Sequence, residues 1–265
     1  MGLISRLKDK KKADAQESRT MLLGFVLREN AEWDLQQFTT AFREEWGIAL
    51  DDSEAKGDTL VATVDGLMLA VSLMEAPIPE GEAEYYAQTN YLWDDAVEVT
   101  KRHRAHILVT VKSWGERQDV AVAQLFVKAT STLLGLPNSL GLYANGTVYE
   151  PEFYRDFASM MHDEPEALPV MDLLWFGILK RENDNVIYTY GLRAFGLEEM
   201  EVLAGKDVDL NEVRMLLCNV ADYVIRGHVE LHDGETLGYT EEQKLRITLG
   251  EGIGVDGKTL KIAWE

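Results

Sequence analysis

The feature that most restricts the fold of this chain is a predicted β-hairpin at Asp65-Gly66. Two apolar runs of strand length, residues 59–64 and 67–73, flank this dipeptide. Asp-Gly favours a two-residue hairpin turn because both turn positions need a positive φ angle. An apolar run at residues 21–27 and an amphipathic helix that ends at Gly47 precede the hairpin. The first folded unit therefore has the predicted order β-α-β-β.

The rest of the first half is predicted to contain both helices and strands. Pro77 and Pro79 force an extended segment, because each proline lacks an amide donor and restricts the residue before it. The patterns that follow indicate a long helix over residues 82–103, a strand over 107–111, an amphipathic helix that ends near Gly135 and a short strand over 140–143.

A connecting segment with three prolines, residues 151–169, precedes the second half. Beyond it, the patterns predict paired strands over 173–179 and 186–190, followed by a helix that ends at Gly227. Apolar residues alternate over 245–249 and 260–264, with Asp256-Gly257 between them, and this arrangement predicts a closing hairpin.

These elements predict an α+β fold made of two βαββ-like halves, with mostly antiparallel or mixed sheets covered by helices. Hairpins covered by single helices are not the pattern of a doubly wound nucleotide-binding fold. The predicted boundaries are a disordered basic tail at residues 1–18, an N-terminal half at 19–150, the connecting segment at 151–169 and a C-terminal half at 170–265.

The chain is strongly acidic. It has 46 Asp and Glu residues against 26 Lys and Arg residues, which gives a formal net charge of -20. A field of this sign repels phosphates and anionic headgroups, so nucleic acid is not a predicted partner, whereas a protein with a basic surface is. The alternative is that the acidity only keeps the protein soluble.

Two further features concern the compartment. No stretch of the sequence reaches the ~18 apolar residues of a membrane span. Cys218 is the single cysteine, which excludes an internal disulfide and favours a reducing environment. The sequence therefore predicts a cytoplasmic protein without a membrane span.

Few residues have the type and spacing that catalysis or metal binding requires. His103 and His106 are three residues apart, a spacing that suits a metal on a helix, but a strand that begins at residue 105 would turn the two rings apart. Glu199 belongs to a cluster of carboxylates that suits acid-base catalysis or, alternatively, a solvated surface. The sequence has no glycine-rich phosphate loop and no nucleophile elbow, so no cofactor is predicted.

Five stretches of the sequence are distinctive as a set: MEAPIP at residues 74–79, Trp93, HRAHILVTV at 103–111, YTYGLRAFGLEEMEV at 188–202 and LHDGETLG at 231–238. Together they resemble the bacterial family of domain of unknown function 4261 (DUF4261), from about residue 21 to the end of the chain. The resemblance implies a shared fold and no established activity. The positions that match its motifs are Pro77, Pro79, Trp93, His106, Gly191, Gly196, Glu199, Asp233, Gly234 and Gly238.

These observations favour a non-enzymatic, acidic protein-binding or accessory protein in a bacterium, of the immunity type that neutralises a basic toxin or partner. The alternative is a hydrolase-like or metal-assisted enzyme. It would need His106 and Glu199 in one pocket between the two halves, together with Asp233 or His232. A third hypothesis is a scaffolding subunit that associates with itself.

Overall fold

The computed structural model of the protein describes residues 20–51, 55–114, 117–238 and 244–264. The predicted basic tail at residues 1–18 lies outside the described residues. Two six-stranded sheets, together with helices that pack on them, confirm the predicted α+β class. Among the described residues, no helix is both long enough and apolar enough to cross a membrane.

The elements of the first half are β1 (Met21–Arg28), α1 (Leu35–Trp46), β2 (Thr59–Val64), β3 (Leu67–Met74), a 3-10 turn (Pro79–Gly81), α2 (Glu82–Ala87), α3 (Ala96–Thr100), β4 (Ala105–Ser113), α4 (Asp119–Leu134), β5 (Ser139–Ala144) and β6 (Thr147–Tyr149). The first sheet has the strand order β2-β3-β4-β1-β5-β6, and all of its neighbouring strands are antiparallel. The predicted hairpin turn is confirmed, since Asp65 and Gly66 have φ angles of 48° and 82°.

The elements that follow the first sheet are α5 (Pro151–Asp163), α6 (Val170–Leu173), β7 (Trp175–Lys180), β8 (Asp184–Tyr190), a 3-10 helix (Leu192–Phe195), β9 (Met200–Gly205), α7 (Leu210–Gly227), β10 (Thr236–Gly238), β11 (Lys244–Glu251) and β12 (Lys258–Ala263). The second sheet has the order β10-β11-β12-β9-β8-β7 and is mixed, because β9 and β12 run parallel. The predicted closing hairpin is confirmed as the antiparallel pair β11 and β12.

One hydrophobic core extends through both halves. Phe126 of α4 and Leu217 of α7 belong to the same cluster of buried apolar side chains. The turn between β5 and β6 is tied to the second half, because the side-chain amide of Asn145 donates to the carbonyl of Leu173 over 2.7 Å. The two sheets are therefore parts of one packed body.

A buried carboxylate also joins the halves. Asp119, the first residue of α4, accepts a hydrogen bond from Arg117 Nε over 2.6 Å and lies 3.0 Å from Nδ1 of His228. The hydroxyl of Thr20 donates to the same carboxylate. His228 follows α7 with a φ angle of 49°, in the left-handed conformation that commonly ends helices. The end of α7 is thus tied to the start of α4.

The predicted long helix over residues 82–103 is wrong: the structure has two short helices, α2 and α3, separated by a loop. The side chain of Asn90 competes with helix formation there. Its amide donates to the carbonyl of Val148 over 2.8 Å, and its oxygen accepts from the amide of Leu92. Tertiary contacts with β6 therefore replace the helical hydrogen bonds.

The second half also contains two strands that the sequence did not predict, β9 and β10. Glutamate is depleted in strands, and β9 carries Glu201 at its second position, which weakens the strand signal. β10 has only three residues, too few for a visible alternation.

Candidate functional site

Glu199 is buried and acts as an internal hydrogen-bond acceptor. One carboxylate oxygen accepts from the backbone amides of Gly191 (2.8 Å) and Arg193 (3.2 Å), and the other accepts from the hydroxyl of Thr189 (2.7 Å). Burial raises the pKa of Glu199, and these hydrogen bonds offset part of that increase. The side chain fixes the start of the 3-10 helix that follows β8.

Glu201, two residues further along and within β9, is also a buried hydrogen-bond acceptor. Its carboxylate accepts from the backbone amides of Ile253 and Gly254, both over 2.8 Å, and from the ammonium group of Lys261. Burial alone would raise the pKa of Glu201, but these hydrogen bonds and the nearby positive charge hold it below its ordinary range. The loop between β11 and β12 is thereby fixed to β9.

The two glycines of the YTYGLRAFG stretch have positive φ angles. Gly191 has a φ angle of 127°, and a Cβ atom there would lie 3.0 Å from the carbonyl oxygen of Leu173. Gly196 ends the 3-10 helix with a φ angle of 71°. Both positions therefore require glycine. Gly234 lies in the turn before β10, with a φ angle of 86°, and Gly238 ends β10.

The N-terminal motif positions lie around the 3-10 turn before α2. Pro77 is exposed, and Pro79 begins that turn. Trp93 is half-buried in the loop between α2 and α3, where it packs against a small cluster that contains Ile78 and Tyr143. Trp93 therefore helps to cover the first sheet on the face that carries this small cluster.

The two candidate metal-binding histidines lie in different environments. His103 uses both ring nitrogens internally: Nε2 accepts from the amide of Ile78 over 2.9 Å, and Nδ1 lies 2.6 Å from the carbonyl of Thr100. His106 is on β4, as the predicted strand required, and its ring meets that of Phe25 edge to face. Among the described residues, only its Nδ1 has a hydrogen-bond partner, the carbonyl of Ala76 at 2.8 Å. Because both nitrogens of His103 are engaged within the fold, the two histidines do not form a metal-binding pair.

His106 lines an open cavity of about 360 Å³ that we call the aromatic cleft. Phe25 and Tyr143 stack on each other, with ring centroids 5.9 Å apart, and form one wall, while Tyr190 of the second half also lines the cleft. Glu82 accepts a hydrogen bond from the hydroxyl of Tyr143 over 2.8 Å. Burial lowers the pKa of His106 and raises that of Tyr143, so both side chains are neutral at pH 7.

A second cavity, of about 260 Å³, lies entirely within the C-terminal half, and we call it the acidic cavity. Its apolar floor is formed by buried side chains of β9, α7 and β12: Met200, Val224 and Leu260. Its polar rim consists of exposed side chains: Glu198, Glu230, His232 and Asp233.

The rim carboxylates differ in their contacts. Asp233 accepts from the backbone amide of Leu249 over 2.9 Å, so one of its oxygens is used within the fold. Glu198 and Glu230 form no ion pair and no side-chain hydrogen bond with any other residue in the described part of the chain. Their charges are therefore free to meet a ligand.

The three candidate catalytic residues lie at three different places. His106 lines the aromatic cleft, Glu199 is buried behind the 3-10 helix, and Asp233 is on the rim of the acidic cavity. Within the ranges that the structure describes, no group of three or more His, Cys, Asp or Glu side chains is placed to hold a metal ion.

The sequence did not predict either cavity. Glu230 is a single glutamate between apolar residues in the sequence. It is a candidate for ligand binding only because the fold places it at the same cavity as Glu198, which is distant in sequence. Phe25, Tyr143 and Tyr190 have the alternating positions of ordinary strand residues, so no local signal distinguishes them from core residues. Only the folded structure brings the residues of each cavity together.

Comparison with known proteins confirms the family assignment for the C-terminal part. Residues 188–263 match the family model of a domain of unknown function, DUF4261. The match contains Glu199, Glu201 and every residue that lines the acidic cavity. It does not include residues 74–79 or 103–111. No curated protein and no solved structure matches the chain.

Proposed function

We propose that this chain, which carries a DUF4261 domain, is a non-enzymatic cytoplasmic protein that binds a basic partner protein through its acidic cavity. A bacterial immunity-type or accessory protein that neutralises a basic toxin would work in this way. The observation that carries the proposal is the pair of unpaired carboxylates, Glu198 and Glu230, above an apolar floor.

The acidic cavity has the chemistry that a lysine or arginine side chain requires. These side chains bury an apolar stem and keep a charged head at the surface. The floor at Met200, Val224 and Leu260 matches the stem, and the carboxylates of Glu198 and Glu230 match the head. A volume of about 260 Å³ is sufficient for one such side chain but small for a folded element.

The charge of the whole chain supports the same conclusion. A net charge of -20 attracts a basic partner over a distance and speeds its encounter, and salt weakens this attraction. Because that field acts on any cation, it cannot by itself direct a partner to one place. Specific binding at the acidic cavity must therefore depend on Glu198 and Glu230 more than on carboxylates elsewhere.

Titration with an oligolysine peptide tests this dependence. The variant E198Q/E230Q removes two charges at the cavity, and E44Q/E164Q removes two charges from exposed positions that do not line it. We expect the cavity variant to bind about tenfold more weakly than the control variant, since each exposed pair contributes up to about 1 kcal/mol. Equal affinities for the two variants would show that only the overall charge matters.

The enzyme alternative is less well supported. It requires His106 and Glu199 in one pocket with Asp233 or His232. His106 lines the aromatic cleft, Glu199 is buried behind the 3-10 helix, and both Asp233 and His232 are on the rim of the acidic cavity. Glu199 also accepts hydrogen bonds from backbone amides, which leaves it unsuited to proton transfer with a substrate.

A further inference from the structure

We infer that the aromatic cleft is a binding site for a small organic cation that carries N–H donors, of the alkylammonium class. The cleft shares no lining residue with the acidic cavity, so this inference does not depend on the proposed partner binding. It follows from three properties of the cleft: its walls, its charge and its hydrogen-bond acceptor.

The walls of the cleft are aromatic faces and edges. Phe25 and Tyr143 are stacked, and Tyr86 stacks behind Tyr143 at a centroid distance of 5.8 Å. Tyr190, 39% exposed, reaches across from the second half and lies over Gly146. The faces of such rings carry negative electrostatic potential and attract cations.

The cleft carries a negative charge. Among the described residues that line it, Glu82 is the only one with a charged side chain, because His106 is neutral at pH 7. One oxygen of Glu82 accepts a hydrogen bond from the hydroxyl of Tyr143, which directs the carboxylate toward the aromatic wall. An anion would be repelled here, and only a cation gains electrostatic attraction from this carboxylate.

The hydrogen-bond acceptor is Nε2 of His106. Because Nδ1 contacts the carbonyl of Ala76, Nδ1 must carry the proton and Nε2 must carry the lone pair. No residue in the described part of the chain donates to Nε2. His106 is 8% exposed overall, and its Nε2 is not one of the fully buried atoms, so this acceptor can be reached from the cleft. An N–H donor of a ligand would satisfy it.

The size of the cleft suits a small molecule. A cavity of about 360 Å³ is within the range, about 300–1,000 Å³, that ligand pockets occupy. A cation with a short alkyl chain can place its ammonium group between Glu82 and His106 and its chain along Phe25.

Calorimetric titration with n-butylammonium tests this inference, with n-butanol as the neutral analogue of equal length. We expect the cation to bind and n-butanol to bind at least about tenfold more weakly, because only the cation forms charge-assisted hydrogen bonds and a cation–π contact. Butyltrimethylammonium, which has no N–H donor, should also bind more weakly than n-butylammonium.

Two variants locate the binding. E82Q should weaken n-butylammonium binding about tenfold. E75Q, an equal change at an exposed neighbour that does not line the cleft, should leave it unchanged. Glu82 is itself exposed, so E82Q should fold, and its thermal unfolding curve checks this. Absence of n-butylammonium binding to the wild type, equal binding of n-butanol, or an unchanged affinity in folded E82Q would overturn the inference.

Discussion

The carboxylate of Glu199 accepts a hydrogen bond from the backbone amide of Gly191 over 2.8 Å, deep within the segment that matches DUF4261. The φ angle of 127° at Gly191 turns the chain sharply enough to bring its amide back toward β9. Gly191 therefore makes a turn of the backbone, and the carboxylate of Glu199 stabilises that turn. The same hydrogen bond fixes the position of Glu198, which directly precedes Glu199, at the rim of the acidic cavity.

Removal of the Glu199 carboxylate should destabilise the fold. E199A leaves the buried amides of Gly191 and Arg193 without an acceptor, and we expect the free energy of unfolding to fall by about 2–4 kcal/mol. Urea denaturation followed by tryptophan fluorescence measures the change. E198A, at the exposed neighbour, should stay within about 0.5 kcal/mol of the wild type. A similar stability of E199A and E198A would refute the structural role.

The contact between Glu201 and Lys261 should make stability depend on acid. The pKa of Glu201 is held below its ordinary value near 4.5, so its contribution is present above that pH and is lost as the pH falls through the lower value in the folded state. We expect E201Q to be less stable than the wild type by about 1.5–3 kcal/mol at pH 7. Acid should reduce this difference, and denaturant unfolding at several pH values measures it. A difference that stays constant down to pH values well below 4.5 would count against the assignment.

Asp172 should have the opposite pH dependence. Its side chain is 0% exposed, and neither oxygen has a hydrogen-bond partner in the described part of the chain. Burial raises the pKa of Asp172 well above its ordinary range. Its favourable contribution is therefore present below the unfolded pKa, near 3.8, and is lost as the pH rises toward the folded value.

Neutralisation of Asp172 should therefore stabilise the protein at pH 7. We expect D172N to raise the free energy of unfolding by about 1–3 kcal/mol at that pH, and to lose this advantage in acid. Thermal or urea unfolding at pH 4 and pH 7 measures both effects. D156N makes the same chemical change on the exposed face of α5 and should have little effect. A destabilised D172N at pH 7 would contradict the account.

Cys218 should react slowly in the folded protein. Burial raises the pKa of its thiol to about 11, and the thiolate is the reactive form. At pH 8 we expect iodoacetamide to alkylate the native protein on the order of 100-fold more slowly than the urea-denatured protein, given an ordinary thiol pKa of about 8.5. Mass spectrometry follows the reaction. Equal rates in the two states would show that the thiol is ordinary and accessible.

The sequence predicted those elements whose signals are local. The hairpin at Asp65-Gly66 depends on two adjacent residues with positive φ angles, and the closing pair β11 and β12 depends on alternation within each strand. The loop at Asn90 could not be predicted, because the hydrogen bond that stabilises it reaches Val148, in a different part of the chain.

The candidate sites were harder to predict than the fold. Glutamate is usually exposed, so the sequence predicted either a catalytic carboxylate or a solvated surface residue at Glu199. The structure shows neither role, because the carboxylate is buried and accepts a hydrogen bond from the amide of Gly191. His106 was a metal and catalytic candidate, but the rings that surround it, Phe25 and Tyr143, come from separate strands. Long-range packing creates these environments, and a local pattern does not encode it.

Affinity capture shows whether the acidic cavity binds a basic partner protein. The wild type, E198Q/E230Q and E44Q/E164Q would be used as tagged baits in a lysate of the source organism, washed at low and high salt and read by mass spectrometry. We expect the wild type and E44Q/E164Q each to recover one basic protein stoichiometrically, salt to weaken this recovery, and E198Q/E230Q to lose it. Equal recovery by both variants, or no basic protein with the wild type, would contradict this expectation.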